Sequence, residues 1–304
     1  MVSHSLRARW LAPLCLVLFW PNQHPAAASP PIRVVVSFSI LGDFVNEIGG
    51  DDVAVTSLIG PDSDAHVFEP TPDQARLLAN AQLFIINGLG LEGWLTRLTQ
   101  SGQYRGPVVV ATQGITPITT TETGEPTPAA DPHAWQDPRN AVVYANNIRQ
   151  ALAATDPAHS AAYRQRFRRY EVELEALDRQ VRSELDAIPA EKRRVITDHD
   201  AFAYYGRAYG IAFRAPEGIS TDSEPSARTV AELIRQIRRE GIKALFVENI
   251  SDPRLIDEIA RETGAGLGPP LYSDALSRPE GPAPTYLRMI QYNTAALKEG
   301  MLKN

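Results

Sequence analysis

The sequence predicts an α/β fold: two similar lobes with mainly parallel sheets, joined by one long rigid α-helix, with a ligand site in the cleft between the lobes. At 304 residues the chain exceeds the usual size of one hydrophobic core. Short β-branched runs alternate with helical patterns, as parallel strands covered by helices do. One uninterrupted helical pattern, residues 156–188, separates two such sets of runs. Open α/β sheets bind ligands beyond the carboxyl ends of their strands, which places the expected site in the cleft.

Residues 1–28 predict a cleavable secretory signal. Arg7 and Arg9 precede an apolar run from Trp10 to Trp20, and the sequence AAAS at 26–29 offers small residues for cleavage. The apolar run is too short for a stable membrane span. An uncleaved anchor is the alternative, and the Ala-rich segment favours cleavage. We therefore expect a periplasmic mature protein.

The composition of the mature chain limits its partners and its site chemistry. Removing residues 1–28 takes away two arginines and no acidic residue, which leaves 28 basic and 36 acidic side chains. This negative balance argues against a nucleic-acid partner. The only cysteine, Cys15, lies in the signal, so a transition-metal site would have to use His, Asp and Glu.

The N-terminal lobe is predicted over residues 29–155. Its expected strands are the β-branched runs at 32–38, 53–59, 83–87 and 107–112. A helix ending at Gly49-Gly50 separates the first two strands. A loop with Glu69-Pro70-Thr71 precedes the next helix, and Thr71 suits its N-cap.

The linking helix is predicted over residues 156–189. Apolar residues recur every three or four positions, which is the pattern of an amphipathic helix; they are Tyr163, Phe167, Tyr170, Leu174, Leu177, Val181, Leu185 and Ile188. Asp156 is the expected N-cap, with Pro157 at the first helical position. Pro189 is expected to end the helix.

The C-terminal lobe, residues 190–304, repeats the layout of the first. Strands are expected at 195–198, 244–249 and 269–274. A helix ending at Tyr209-Gly210 and a loop with Glu224-Pro225-Ser226 occupy equivalent places, and Ser226 suits a helix N-cap. Chance similarity between two ordinary α/β units is the alternative to a true repeat.

Three histidines and one aspartate are the candidate metal ligands. Of six histidines, His4 and His24 belong to the signal region and His159 is expected to face solvent from the long helix. The remaining candidates lie in or beside loops bordered by acidic residues, in both predicted lobes: His66 in PDSDAHVFEP, His133 in DPHAWQDP and His199 in VITDHDAFAYYG. Asp274 ends the run PPLYSD. Alone, each histidine is more often a surface or hydrogen-bonded residue than a ligand, but together they form a donor set suited to Zn(II) and acceptable to Mn(II) or Fe(II).

Five segments are jointly diagnostic: SFSILGDFVNEIGGDDVAVTSLIGPDSDAHVFEPTP, DPHAWQDPRNA, ITDHDAFAYYGRAYGI, Glu224-Pro225-Ser226 and LYSDALS. Together they resemble the metal-binding solute-binding proteins of zinc and manganese ABC importers, from about residue 32 to the end of the chain. The resemblance implies two α/β lobes bridged by a long helix, with the metal held between them. It also implies that the direct ligands are His66, His133, His199 and Asp274.

The choice of metal rests on His199. The matching position is often Glu in manganese members of the family and His in zinc-type members, and imidazole in place of a carboxylate favours zinc. We therefore expect Zn(II), with Mn(II) as the alternative, since some members with the same ligand set resemble manganese carriers. One departure is the segment 116–130, which is short and contains no His, whereas many zinc members carry a long loop rich in His and acids here.

The resulting expectation is a monomeric extracytoplasmic protein that captures zinc and delivers it to a membrane ABC permease, without enzymatic activity. Four protein ligands would close the coordination sphere, which favours carriage over catalysis. Manganese or iron binding in the same importer class, a zinc-dependent hydrolase and an adhesin-like surface protein of the same fold are the alternatives. The chain has no HExxH motif.

Acidic residues near the candidate ligands are expected to orient the imidazole rings, because a metal-bound imidazole usually donates its other N–H to a carboxylate or carbonyl. The candidates for this role are Asp64, Glu69, Asp131, Asp200 and Glu248. Helix capping or exposure to water is an equally reasonable role for any one of them.

Overall fold

A four-stranded parallel sheet forms the centre of the first half of the chain in the computed structural model, which describes residues 1–2, 30–102, 104–120 and 128–304. The strands are β1 (Ile32–Phe38), β2 (Val53–Ile59), β3 (Leu83–Ile86) and β4 (Val108–Val110), in the order β2-β1-β3-β4. The central strand β1 is buried at Val34 and Val36 as well as at Val35. Burial on both faces explains why its sequence is a continuous apolar run.

Helices cover this sheet, and capping side chains fix where several of them begin. The helices are α1 (Ser39–Gly49), α2 (Pro72–Ala79), α3 (Leu95–Gly102) and α4 (Pro138–Thr155). Thr71 caps α2 by accepting a hydrogen bond from the backbone N–H of Gln74, as predicted. Asp137 caps α4 in the same way through Arg139. A short antiparallel hairpin, β5 (Thr119–Thr120) with β6 (Ala129–Ala130), leads towards α4.

The long helix, α5, spans Ser160–Asp186 and is preceded by a single 3-10 turn, Pro157–His159. Asp156 occupies the N-cap position of this turn with Pro157 directly after it, as predicted, but α5 itself begins only at Ser160. The Asp156 carboxylate makes no capping bond; it accepts from the Tyr163 hydroxyl at 2.7 Å and contacts Nδ1 of His159 at 2.6 Å. The predicted apolar face is otherwise correct, since it packs against α1, α4 and the C-terminal helix α9 (Tyr286–Leu302).

The second half contains a smaller parallel sheet. Its strands are β7 (Arg194–Ile196) and β8 (Ala212–Arg214), and its helices besides α9 are α6 (Ala203–Tyr209), α7 (Ala227–Glu240) and α8 (Arg254–Thr263). Ser226 caps α7 through the N–H of Thr229, as predicted. The strands predicted at 244–249 and 269–274 are wrong as regular strands: this part of the chain continues the sheet only through isolated parallel bridges, at Leu245 and between Glu248 and Leu271.

One large hydrophobic core runs from β1 to α9 and so includes residues of both halves; a smaller cluster lies between α7, α8 and Leu245. The molecule is therefore the predicted α/β fold of two lobes joined by a long helix. Contacts group Pro31–Asn304 as a single unit, and the lobe boundaries at 155/156 and 189/190 stay predictions. Within the described residues no helix is both long and apolar enough to cross a membrane. Most of the predicted signal lies outside the described residues.

Candidate metal centre

The four candidate ligands lie on four separate loops that meet at one point. His66 follows β2, His133 precedes a 3-10 turn (Ala134–Gln136) at the start of α4, and His199 follows β7. Asp274 follows the bridge between Glu248 and Leu271. One ligand atom from each of the four lies within 4.8 Å of the others. Residues spread over more than 200 positions of the sequence thus converge beyond the ends of the strands, where open α/β sheets bind ligands.

The distances between the ligand atoms have the spacing of a four-coordinate metal site. Nε2 of His133 lies 3.3 Å from Nε2 of His66 and 3.3 Å from Nε2 of His199. The Asp274 carboxylate lies 3.1 Å from His66 Nε2, 3.6 Å from His133 Nε2 and 3.3 Å from His199 Nε2. Ligand atoms about 2.0–2.2 Å from a tetrahedral Zn(II) are about 3.3–3.6 Å from one another. Five of the six pairs of ligand residues therefore have this spacing, and the sixth pair, His66 and His199, lies within the 4.8 Å that encloses the four ligand atoms.

Two buried carboxylates orient two of the rings. Asp131 Oδ1 lies 2.8 Å from Nδ1 of His133 and also accepts the backbone N–H of His133 at 2.9 Å. Glu248 Oε2 lies 2.6 Å from Nδ1 of His199, although the pair lacks the alignment of a full hydrogen bond. A carboxylate beside Nδ1 favours the tautomer with its proton there. When the ring is neutral, as a metal ligand has to be, the lone pair of Nε2 faces the shared centre.

Charges within the cluster shift the pKa values of three of its buried members. Burial alone lowers the pKa of His133, but Asp274 and Asp131 outweigh it and raise that pKa to about 9. Burial likewise lowers the pKa of His199, and Glu248 and Asp274 raise it well above its ordinary value. Burial raises the pKa of Asp274, but His133 and His199 lower it well below its ordinary value. Buried negative charge around three imidazoles attracts positive charge.

The other acids predicted to orient the rings have different roles. Asp64 accepts the backbone N–H of His66 at 2.8 Å and the hydroxyl of Thr221 at 2.6 Å, so it shapes the loop rather than the ring. Glu69 is exposed, and the Asp200 carboxylate makes no hydrogen bond to a candidate ligand within the described ranges. His159, expected to face solvent, is partly buried against Asp156.

The sequence analysis missed the polar residues that hold the backbone around His133. Asn87 Nδ2 donates to the Pro132 carbonyl at 3.0 Å, and the Tyr144 hydroxyl donates to Asn87 Oδ1 at 2.6 Å. The Tyr204 hydroxyl donates to the Asp131 carbonyl at 2.9 Å. Asn87 ends the apolar run LFIIN, and this polar residue at a strand end was the only signal available.

Access to the centre differs between its members. The side chains of His133, His199 and Asp274 are fully buried, whereas His66 is 5% exposed. A cavity of about 310 Å³ borders His66 and is lined by Leu89, Pro132, Ile219 and Asp222. His66 is therefore the candidate ligand nearest to solvent.

Comparison with known proteins places this chain in a family. The family model described as zinc-uptake complex component A, periplasmic, matches residues 34–300. The iron-binding protein YfeA of Yersinia pestis is 34% identical over 279 residues, which cover 92% of this chain and 89% of that protein. The manganese ABC transporter substrate-binding lipoprotein PsaA of Streptococcus anginosus is 27% identical over 305 residues, 98% of each chain.

Solved structures show the same fold. The periplasmic zinc-binding protein TroA of Treponema pallidum superposes with a TM-score of 0.84 at 28% identity, covering 89% of this chain and 99% of that one. A manganese-bound periplasmic metal-binding protein of Candidatus Liberibacter asiaticus gives a TM-score of 0.79 at 30% identity, with the same coverage. The names of these relatives include iron, manganese and zinc.

Proposed function

The chain belongs to the zinc-uptake complex component A family of periplasmic metal-binding proteins, and from this premise we propose that it captures Zn(II) and delivers it to the membrane permease of an ABC importer. Its class, a metal-binding substrate-binding protein of an ABC importer, follows from family membership. The observation that carries the proposal is the convergence of three imidazoles and one carboxylate at the spacing of a tetrahedral site. The direct ligands in this proposal are His66, His133, His199 and Asp274.

The donor set favours zinc over manganese. Three neutral nitrogen donors and one carboxylate suit Zn(II), whereas Mn(II) favours more oxygen donors. The distances of 3.1–3.6 Å between ligand atoms match four-coordinate geometry. Relatives named for manganese and iron make these ions the first alternative.

Carriage fits the site better than hydrolysis. Catalytic zinc sites keep one position open for water, whereas here four protein side chains surround the centre and three of them are fully buried. We propose that the protein acts as a monomer in the periplasm after removal of residues 1–28, as the signal-like N-terminus and the periplasmic family suggest.

The test is metal analysis combined with competition. The mature chain is purified without added metal, its metal content is measured, and Zn(II) and Mn(II) are titrated in competition. We expect bound zinc, tighter binding of Zn(II) than of Mn(II), and large losses of affinity in Asp274→Ala and His66→Ala. His159→Ala is the control, because this partly buried histidine is paired with Asp156 rather than with the site.

Two results would overturn the proposal. If Asp274→Ala binds Zn(II) with wild-type affinity, Asp274 is not a ligand and the four-ligand site is refuted. Tighter retention of Mn(II) than of Zn(II) by the wild-type protein would assign the chain to the manganese alternative, since intrinsic preference runs the other way.

A further inference from the structure

Two buried side chains donate hydrogen bonds to one backbone carbonyl next to Asp274. Trp135 Nε1 donates to the Ser273 carbonyl at 2.9 Å, and Gln136 Nε2 donates to the same oxygen at 2.7 Å. Trp135, Gln136 and Ser273 are all fully buried. We call these two hydrogen bonds the Ser273 clamp.

The Ser273 clamp joins the loops of two candidate ligands. Its donors are the second and third residues after His133, and its acceptor belongs to the residue before Asp274. The partners are 138 and 137 positions apart in the chain. The clamp therefore fixes the distance between the two loops.

Asp274 depends on its backbone for its position. Neither carboxylate oxygen has a hydrogen-bond partner within the described ranges, so only the imidazole nitrogens of the site face it. An aspartate side chain is short, which means that a small shift of the peptide between Ser273 and Asp274 moves the carboxylate out of the site. Moving this peptide would break both bonds of the clamp and leave two buried donors unsatisfied, which is costly.

Gln136 has no other evident use for its amide. Its Oε1 is buried without a hydrogen-bond partner among the described residues, so the only side-chain hydrogen bond of Gln136 goes to Ser273. Other side chains hold the backbone on both sides of Asp274: Asn293 binds both the N–H and the carbonyl of Tyr272, Asn249 Nδ2 donates to the Ala275 carbonyl, and Ser39 Oγ accepts the N–H of Leu276. Among the described residues, the two bonds of the clamp are the ones that attach the Ser273 carbonyl to the His133 loop.

We propose that Trp135 and Gln136 are positioning residues that hold Asp274 in place and thereby set the rate at which the metal leaves. The proposal rests on the proposed function, because it requires Asp274 to be a ligand. Loss of the clamp speeds metal dissociation and leaves association nearly unchanged, because Trp135 and Gln136 are fully buried and do not line the cavity that borders His66.

The test uses Gln136→Met, which keeps side-chain length without the amide, and Trp135→Phe, which keeps an aromatic ring without the N–H. Zn(II) dissociation from the mature protein is followed by rapid mixing with an excess of a chromophoric chelator. We expect each variant to raise the dissociation rate about tenfold, the lower end of what outer-shell changes do to metal affinity. Association should change much less than dissociation, because most effects of variants at one binding site are in the dissociation rate.

The matched control is Thr294→Val. Its hydroxyl is 2.8 Å from that of Tyr205, and both residues are buried. This variant loses a buried hydrogen bond and some thermal stability of the metal-free protein, but it should keep the wild-type dissociation rate. If the clamp variants acted by destabilising the whole fold, Thr294→Val would also raise the dissociation rate.

Three outcomes separate the possibilities. The clamp proposal is refuted if folded Gln136→Met and Trp135→Phe release Zn(II) at the wild-type rate. It is also refuted if Thr294→Val raises the dissociation rate as much as they do. If one clamp variant does not fold, the other decides. If Asp274→Ala binds Zn(II) as tightly as the wild type, the proposed function fails. If Asp274→Ala loses affinity but the two clamp variants release Zn(II) at the wild-type rate, only the clamp proposal fails.

Discussion

At the scale of single residues, Glu248 is the side chain on which His199 most depends. Its Oε1 accepts the backbone N–H groups of Asp198 and His199 at 3.0 and 2.9 Å, while Oε2 faces Nδ1 of His199 at 2.6 Å. A carboxylate can accept at both oxygens, but an amide has one acceptor and one donor end. Either orientation of a glutamine here would place NH₂ against N–H.

We therefore predict that Glu248→Gln weakens Zn(II) binding severely, towards the upper end of the about 10–100-fold range for outer-shell changes. Asp131→Asn is the comparison. Asp131 uses Oδ1 for both contacts with His133, and its Oδ2 has no partner among the described residues, so an asparagine can keep both contacts. Competition titration of the two variants measures the difference. Equal affinities would show that charge alone, and not donor geometry, is what these carboxylates supply.

Asp43 gives the fold a pH dependence of its own. Burial raises its pKa, the N–H of Tyr286 lowers it and Glu47 raises it, with a net value of about 7 against an ordinary value of 3.8. Between these values the folded protein holds a proton that the unfolded chain releases. The contribution of Asp43 to stability is therefore greatest below this range and is lost as pH rises through it.

Asp43→Asn should remove that dependence. The amide oxygen of asparagine can still accept the N–H of Tyr286, at 2.8 Å in the wild type, without burying a charge. Relative to the wild type, the variant should gain stability at pH 8, by an amount on the order of a few kcal/mol at most, and gain little at pH 4. Urea unfolding at both pH values measures this, with the exposed Asp51→Asn as control. A constant difference between the wild type and Asp43→Asn would refute the pKa shift.

At the scale of elements, packing of one apolar face holds helix α5 in the fold. Leu174 is fully buried, whereas Val172, two residues earlier, is 61% exposed. We predict that Leu174→Ala lowers the free energy of unfolding by about 2–5 kcal/mol, because it leaves a cavity. Val172→Ala should change it by less than about 0.5 kcal/mol. Urea unfolding of the two variants tests whether the packed face of the helix, and not its intrinsic helicity, supports the fold.

The elements that sequence predicted well are those whose backbone pairs mainly with the backbone of a neighbouring strand. Strands β1 and β2 have the predicted bounds, since their apolar runs form a regular parallel ladder. The run at 244–249 is equally apolar but makes only isolated bridges. Here the carboxylate of Asp198 takes the N–H of Glu248, and Glu248 takes the N–H groups of Asp198 and His199. Side chains of the site replace ladder partners, which no apolar pattern can indicate.

A similar limit applies to the site. Sequence singled out the four converging side chains because imidazole and carboxylate groups have specific metal chemistry. It did not single out Asn87 or Gln136, which act on the carbonyls of Pro132 and Ser273. Every residue has a backbone carbonyl, so the sequence at the accepting residue does not indicate that a side chain binds there. Such residues are found only when the chain is folded.

At the scale of the whole molecule, the candidate site and the core both cross from one half of the chain to the other. Helix α5 packs against α1 and α4 from the first half and α9 from the second. The large core is continuous through both halves. Removing either half would therefore expose the core and disassemble the site, so folding and metal binding are expected to be linked.

We predict that Zn(II) raises the unfolding temperature of the whole chain in a single transition. Free Zn(II) at a thousand times its dissociation constant should add about 4 kcal/mol, because the ion binds only the folded protein. For a chain of this size that corresponds to a rise of about 8–16 °C, at about 2–4 °C per kcal/mol. Scanning calorimetry with Zn(II) and then with an excess of EDTA measures the rise and its reversal, and Asp274→Ala should lose most of it. The contrary result is two unfolding transitions, of which Zn(II) shifts only one. One half of the chain would then unfold without releasing the ion, so the ligands could not come from both halves.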